Sequence, residues 1–375
     1  MSSEMKPQLY VLCRTGNSGL TDYSISLMRK ADRCAHVTFV STKAAMEHPA
    51  IGRLPVLPLF RRLRNAPFDL LRVAFHIWRK RPDQVLFQSW MVSPFYDGLV
   101  ARLLGLFGVR TAVTAHDLLP HHPKPWSRLT CAFFYRSFDK VIAHSESSVK
   151  GLRDFCVRNP VLLVPHGEYD LFNTRFLSRA DAWQLLGIDS SRYEKMVLFF
   201  GHLDERKGLE EFLSVAESLK GGRVLFLVAG DNNLSAPYQY LVEKKWPENI
   251  RLDVGRVPFE HVQRYFSAAD VVALPYREGT TSGVLKVAMA FGKPVIASNV
   301  GDIAETLGFW PGRLISKDAL KNELEAALVE FVAENGVCQS SAKSGEIDAR
   351  YSWDVISEKY MSFLFDHRFA GRVRE

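Results

Sequence analysis

The residues best placed to do chemistry sit late in the chain. Ala268-Ala269-Asp270-Val271-Val272-Ala273-Leu274-Pro275 runs into Tyr276-Arg277-Glu278-Gly279, then Thr280-Thr281-Ser282-Gly283, and continues as VLKVAMAFGKPVIAS to Ser298. Read physically, a strand ends in a loop of small polar residues, an apolar helix begins, and a Gly-Lys-Pro turn opens the next strand. The first amides of a helix have no partner within it, so those of Thr281, Ser282 and Gly283, with Thr280 just ahead, form a ready site for a phosphate. A second segment is Gly201-His202-Leu203-Asp204-Glu205-Arg206-Lys207-Gly208-Leu209, between the strand MVLFF and a helix. A cation held against backbone amides at a helix start suits a diphosphate. A solvated turn is the alternative.

Two more segments stand in the first half. Arg14-Thr15-Gly16-Asn17-Ser18-Gly19 follows a strand and precedes a helix. Gly16 and Gly19 either let the backbone approach a ligand or make a plain tight turn. His116, in Thr114-Ala115-His116-Asp117-Leu118-Leu119-Pro120-His121-His122, closes another strand. A histidine there titrates near neutrality and can orient phosphate or stabilise developing charge; a satisfied core histidine is the alternative. A zinc site from His116, His121 and His122 lacks the helical ligand spacing of a zinc hydrolase. Neither G-x-G-x-x-G nor D-x-D occurs. The first absence disfavours a nicotinamide oxidoreductase; the second leaves a metal clamp on a diphosphate without obvious ligands.

These loops need elements to position them. QLYVLC, HVTFV, QVLFQ, TAVTAH, KVIAHS and PVLLVP read as buried parallel strands, and amphipathic segments such as TDYSISLMRKA and SRLTCAFFYRSF lie between several of them. The pattern restarts with MVLFFG, RVLFLVAG, IRLDVG, VVALPY and PVIAS. Strand–helix alternation in two series predicts an α/β protein of two Rossmann-like, doubly wound parallel-sheet domains facing a cleft. The chain of 375 residues, 47% hydrophobic, fits two such domains and excludes wholesale disorder, collagen-like repeats and a coiled coil. Five scattered cysteines (Cys13, Cys34, Cys131, Cys156, Cys338) without a C-x-x-C argue against a disulfide framework and for a reducing cytoplasm. No signal peptide or spanning segment is apparent in the sequence.

Taken together, these motifs resemble glycosyltransferase family 4, with its two-domain GT-B fold, over nearly the whole chain. The resemblance rests on the Gly loop 16–19, His116 in an A-H-D context, the Lys207-Gly208 pair, the block from Ala268 to Ser298, and Tyr351-Ser352-Trp353-Asp354 near the end. It implies an acceptor-binding domain over residues 1–170, a nucleotide-sugar domain over 171–350, and a helix over 351–375 returning to the first domain. It further implies sugar transfer from a nucleotide-sugar, commonly with retention and without a bound metal or other cofactor. His116, Lys207 and Glu278 would be catalytic; Gly16, Gly19, His202, Arg206, Thr280, Thr281, Ser282 and Gly283 would bind the donor. Two departures stand out. His202 occupies the place of the family's diphosphate-contacting arginine. The paired glutamates, with seven residues between them, are also broken. Counting from Glu278 reaches Lys286, and anchoring on A-M-A-F-G-K-P reaches Gly279 and Val287. Either way the ribose-gripping carboxylate is missing, and Glu278 takes the sugar-facing place only through a one-residue insertion. A non-catalytic GT-B protein that binds nucleotide-sugar or glycan as a regulator or scaffold is the second reading.

The net charge of +7 is uneven: residues 1–170 carry 23 Lys+Arg against 13 Asp+Glu, and residues 171–375 carry 25 against 28. Much of the surplus falls in RLPVLPLFRRLRNAPFDLLRVAFHIWRKR, residues 53–81, which includes Arg61, Arg62, Arg64 and Trp78. Phe68, Leu71, Phe75 and Trp78 fall on one helical face. Basic residues beside such a face make an interfacial segment for anionic lipid or for a lipid-linked saccharide acceptor. Alternatively, the stripe packs on the sheet and the basic face meets water. No recognition motif for nucleic acid accompanies the charge. The resulting expectation is a cytoplasmic enzyme, peripheral on the inner membrane face, extending a lipid-linked glycan in surface or exopolysaccharide synthesis.

Overall fold

The computed structural model describes residues 6–61, 63–120, 123–279, 281–333 and 349–365. Arg62, His121, His122, Thr280 and Cys338 lie outside the described residues. The chain divides into two compact units, residues 1–167 with 349–375 and residues 168–348.

In the first unit, β1 (Gln8–Leu12), β2 (His36–Thr42), β3 (Val56–Phe60), β4 (Gln84–Phe87), β5 (Thr111–Ala115), β6 (Lys140–Ala143) and β7 (Val161–Leu163) form one parallel sheet. The order is β3-β2-β1-β4-β5-β6-β7, so the chain reverses its winding between β1 and β4. Loops beyond the carboxyl ends of these two strands are where sheets of this kind receive ligands. The second unit repeats the scheme with β8 (Lys195–Phe200), β9 (Val224–Gly230), β10 (Ile250–Val254), β11 (Val271–Leu274), β12 (Val295–Ser298) and β13 (Gly312–Ile315). Its order is β10-β9-β8-β11-β12-β13, with the reversal between β8 and β11. The inner strands are apolar runs because both faces are covered: β4, β5, β9, β11 and β12 are buried throughout.

β3 and β13 were not among the expected strands, and both are edges. β3 contains Pro58, which has no N–H to give to a ladder and is tolerated at an edge. The helices start on polar caps. The Ser18 side chain accepts from the Thr21 amide at the head of α1 (Gly19–Ala31). Ser93 accepts from Tyr96 at the head of α3 (Pro94–Leu106), with Pro94 in the first turn. Between them, α2 (Ala66–Lys80) buries Ala66, Leu70, Val73 and Ile77. The stripe of Phe68, Leu71, Phe75 and Trp78 shares a face as expected, yet that face points outward. Phe68 is 70% exposed and even Trp78 is 40% exposed, which overturns the reading in which the stripe packs on the sheet. Among the described residues no helix is long and apolar enough to cross a membrane, and the four described cysteines are free.

The helix Trp353–Leu364 packs on α1 and belongs to the first unit. Lys30 and Arg33 both reach Asp354 at 2.7 Å on the surface. Beneath them the buried hydroxyls of Tyr23 and Tyr360 meet at 2.7 Å, and Thr114 Oγ1 lies 3.3 Å from Tyr360. Exposed ion pairs contribute little, whereas a buried hydroxyl left without a partner costs about 1–3 kcal/mol. Tyr360→Phe should therefore lower the melting temperature of the first unit measurably, and Asp354→Asn should change it far less; thermal scans of the two variants check this order.

Candidate functional site

The reversal between β8 and β11 builds one constellation. β8 is followed by Gly201, whose φ of 102° few other residues adopt. A Cβ there would stand 3.0 Å from Lys207 Nζ and 3.2 Å from Val284 Cγ2. The bare backbone of Gly201 thus lets the Lys207 ammonium and the first turn of the helix Gly283–Ala290 close on one spot. Gly208 makes this possible from the other side. With φ 69° it turns the chain from the 3-10 segment Glu205–Lys207 into the helix Leu209–Ser218, and a Cβ would lie 2.0 Å from the carbonyl oxygen of Pro275. That contact brings the loop after β8 against the loop after β11.

Lys207 also stands 5.7 Å from the centre of the Tyr276 ring. Partial removal from water pushes its ammonium pKa down to about 8, with Arg206 adding to the effect and Asp204 opposing it. At pH 7 the charge is kept but poorly solvated, so an anion arriving there is strongly favoured. Tyr276 is buried, which pushes its phenol up to about 12; its hydroxyl accepts from Ser282 Oγ at 3.4 Å.

The helix start is divided in its commitments. Ser282 Oγ caps it by accepting from the Leu285 amide at 3.2 Å, and the Ser282 amide donates to Asp302 Oδ1 at 3.4 Å. Asp302 Oδ2 lies 3.4 Å from Lys286 Nζ, which also donates to Thr306 Oγ1 at 2.7 Å. Lys286 is fully buried. Of the three amides expected to cradle a phosphate, those of Thr281 and Gly283 have no hydrogen-bond partner among the described residues, whereas that of Ser282 does. Neither Lys286 nor the buried Val287 supplies a carboxylate. Tyr276, Asp302 and Lys286 were not singled out from the sequence as parts of this site. A lone lysine in the apolar run VLKVAMA was nevertheless a signal, because a buried cation requires a partner.

The other expected donor residues are less convergent. His202 is exposed, and Asn233 donates to its Nδ1 at 2.9 Å. Desolvation, then nearby Lys207, lowers its pKa, so it offers a neutral ring. Arg206 is occupied by Asp204 at 2.7 Å and fixes the turn instead of reaching outward. Arg277 is held by Glu211 at 2.6 Å and Glu210 at 3.1 Å. Glu278 is exposed on the loop before the helix.

In the first unit, Gly16 is buried against the segment after β2: a Cβ would fall 2.2 Å from Thr42 Oγ1 and 2.7 Å from the Ala45 amide. This close packing is a structural reason for that glycine. Gly19 is exposed at the head of α1. His116 Nε2 lies 3.1 Å from Gln88 Oε1, and its ring centre is 4.6 Å from Tyr23 and 5.0 Å from His144. Burial first, then His144, holds its pKa well below the usual histidine value. The expectation of a side chain titrating near neutrality gives way to a neutral imidazole. In the basic segment, Arg61 is tied to buried Asp69 at 2.7 Å, while Arg64 is exposed. Among the described residues no group of three or more His, Cys, Asp or Glu is arranged to hold a metal ion.

Two parallel sheets with helices between their strands, each wound in two directions, define the GT-B architecture. The family model for the "Glycosyl transferase 4-like domain" matches residues 18–167, and that for "Glycosyl transferases group 1" matches residues 194–334. The chain belongs to the GT-B glycosyltransferases of the family-4 type. The Xanthomonas campestris GDP-mannose:glycolipid 4-beta-D-mannosyltransferase is 26% identical over 275 residues, 71% of each chain. Sulfoquinovosyl transferase SQD2 of Arabidopsis thaliana is 25% identical over 250 residues, 63% of this chain and 46% of that one. The match likewise spans less than half the length of other curated relatives. The fold is shared with Anabaena HepE, solved with UDP and glucose: TM-score 0.73, 17% identity, covering 96% of this chain and 99% of that one.

If the Lys207 ammonium is the principal cation for a diphosphate, affinity should follow its protonation. Binding of UDP or GDP, measured by calorimetry, should be level up to about pH 7. It should then weaken as pH rises through about 8, approaching tenfold per unit above it. Binding constant across pH 7–10 would remove Lys207 from that role.

Proposed function

We propose that the protein transfers a sugar from a nucleotide-sugar to a saccharide acceptor carried on a lipid, in surface or exopolysaccharide assembly. The observation that carries this reading is the meeting of the Lys207 ammonium with the first turn of the Gly283 helix at the reversal point of the second sheet. Glycosyl transfer builds positive charge on the sugar and negative charge on the departing diphosphate. A preorganised cation and helix-end amides stabilise the second of these as it develops. Lys207 and the amides of Thr281 and Gly283 are proposed to hold the leaving group, with His202 beside it. Glu278 is proposed to face the sugar. His116 is proposed to serve its ligand as a neutral hydrogen-bonding ring. A charge-neutralising set of this kind is the basis for proposing transfer without a metal, and retention follows as the family's common outcome. The glycolipid named as acceptor of the Xanthomonas relative supports a lipid-linked acceptor here.

The missing ribose carboxylate, with buried Lys286 in its place, favours the alternative of a nucleotide-sugar or glycan binder without transfer. A thermal-shift screen of UDP-, GDP-, ADP- and CMP-sugars followed by a transfer assay on a lipid-linked saccharide separates the two. Binding with turnover supports transfer; binding without turnover supports the alternative; no binding defeats both. Lys207→Ala should lower kcat/KM about 10²–10³-fold with an unchanged melting temperature. Glu278→Gln should lower kcat while leaving the affinity for free UDP or GDP within about twofold, since that side chain is assigned to the sugar. Near-normal turnover in Lys207→Ala would end the leaving-group assignment.

A further inference from the structure

α2 and α3 are neighbours in the first unit, and both expose their apolar residues. On α2 these are Phe68, Leu71, Phe75 and Trp78, between 40% and 70% exposed. On α3 and its end they are Leu99, Leu103, Leu106 and Phe107, between 43% and 82% exposed. The two rows are joined: the Phe75 and Trp78 rings are 5.6 Å apart, and Trp78 meets Phe107 at 6.1 Å. A connected apolar surface of this extent is uncommon on a protein that has no partner there.

Charge identifies the partner. Arg64, Arg72, Arg79, Lys80 and Arg102 are exposed around the same rows, and none of them makes an ion pair among the described residues. The acidic residues of the two helices are Asp69 and Asp97, and both are buried. Asp69 is held by Arg61, and Asp97 accepts from the amides of Val92 and Ser93. Every exposed charge on these helices is therefore positive. A second copy of this chain would bring like charge to the contact, whereas a bilayer with anionic headgroups satisfies both features. Apolar side chains enter the headgroup–acyl boundary while arginine and lysine stay at the phosphates.

We infer that the α2–α3 face is a docking surface for an anionic phospholipid bilayer. It positions the first unit on the membrane independently of donor binding. The inference does not rest on sugar transfer, and its test requires no substrate. Full-length protein is floated with vesicles of phosphatidylcholine alone and of phosphatidylcholine with phosphatidylglycerol, at low and high salt. Flotation is expected with the anionic vesicles and should fall as salt screens the contact. Arg72→Glu/Arg79→Glu/Lys80→Glu should reduce it more than tenfold, and so should Phe75→Ser/Trp78→Ser. Lys220→Glu/Lys245→Glu/Lys321→Glu, the same charge change on the second unit, should float like the parent. Circular dichroism melts and the binding of UDP or GDP should be unchanged in all three. Absence of flotation with anionic vesicles would overturn the proposal, as would equal loss in the second-unit variant. So would self-association that the α2 variants abolish while vesicle binding persists.

Discussion

The constraint on which the second unit depends is the approach of two backbones at Gly208 and Pro275. No side chain fits between them, since even a Cβ would lie 2.0 Å from the carbonyl oxygen. Because the loops after β8 and β11 touch there, Lys207 cannot extend into water as surface lysines do. It is turned back over Gly201 toward the Gly283 helix, and the loss of water that follows lowers its pKa. Position and electrostatics are two results of one steric fact. The salt links of Arg277 to Glu210 and Glu211 reinforce the same loop contact from its edge.

Much of the fold was legible because strands buried on both faces must be continuous apolar runs. Eleven expected strands correspond to β1, β2 and β4–β12. The two that were not read, β3 and β13, are edge strands whose apolar run is interrupted, by Pro58 in β3 and by Arg313 in β13; the other edges, β7 and β10, were read. The stripe on α2 was legible as a face but not as to which way it points. Ala66, Leu70, Val73 and Ile77 make an equally regular apolar row, and only packing decides which row meets the sheet. Periodicity establishes that a helix has a side; it does not say that the larger residues take the inside.

The site was legible where backbone chemistry decides it and opaque where side chains pair over distance. Gly201, Lys207, Gly208 and Ser282 announce themselves by type and place after strands. The links of Asp302 to the Ser282 amide and to Lys286 cross twenty and sixteen residues of chain, with no local signature at Asp302. Likewise, His116 appeared as a titratable group at a strand end. Its neutrality comes from burial, in contact with the Tyr23 ring, and then from His144, and no neighbouring residue in sequence reveals them.

The uneven charge of the chain now has a physical sense. A second unit with slightly more acids than bases is poor at attracting anions from a distance, yet it carries the built cation-and-amide turn. A desolvated ammonium and helix-end amides act over a few ångströms and are little affected by net charge. The first unit is the reverse. Part of its surplus lies on exposed arginines and lysines around α2 and α3 that make no ion pair among the described residues, an arrangement that acts at the range of a Debye length on something extended. Short-range and long-range electrostatics are thus assigned to different units. Each arrangement suits an anion of a different size, a diphosphate for one and a charged surface for the other.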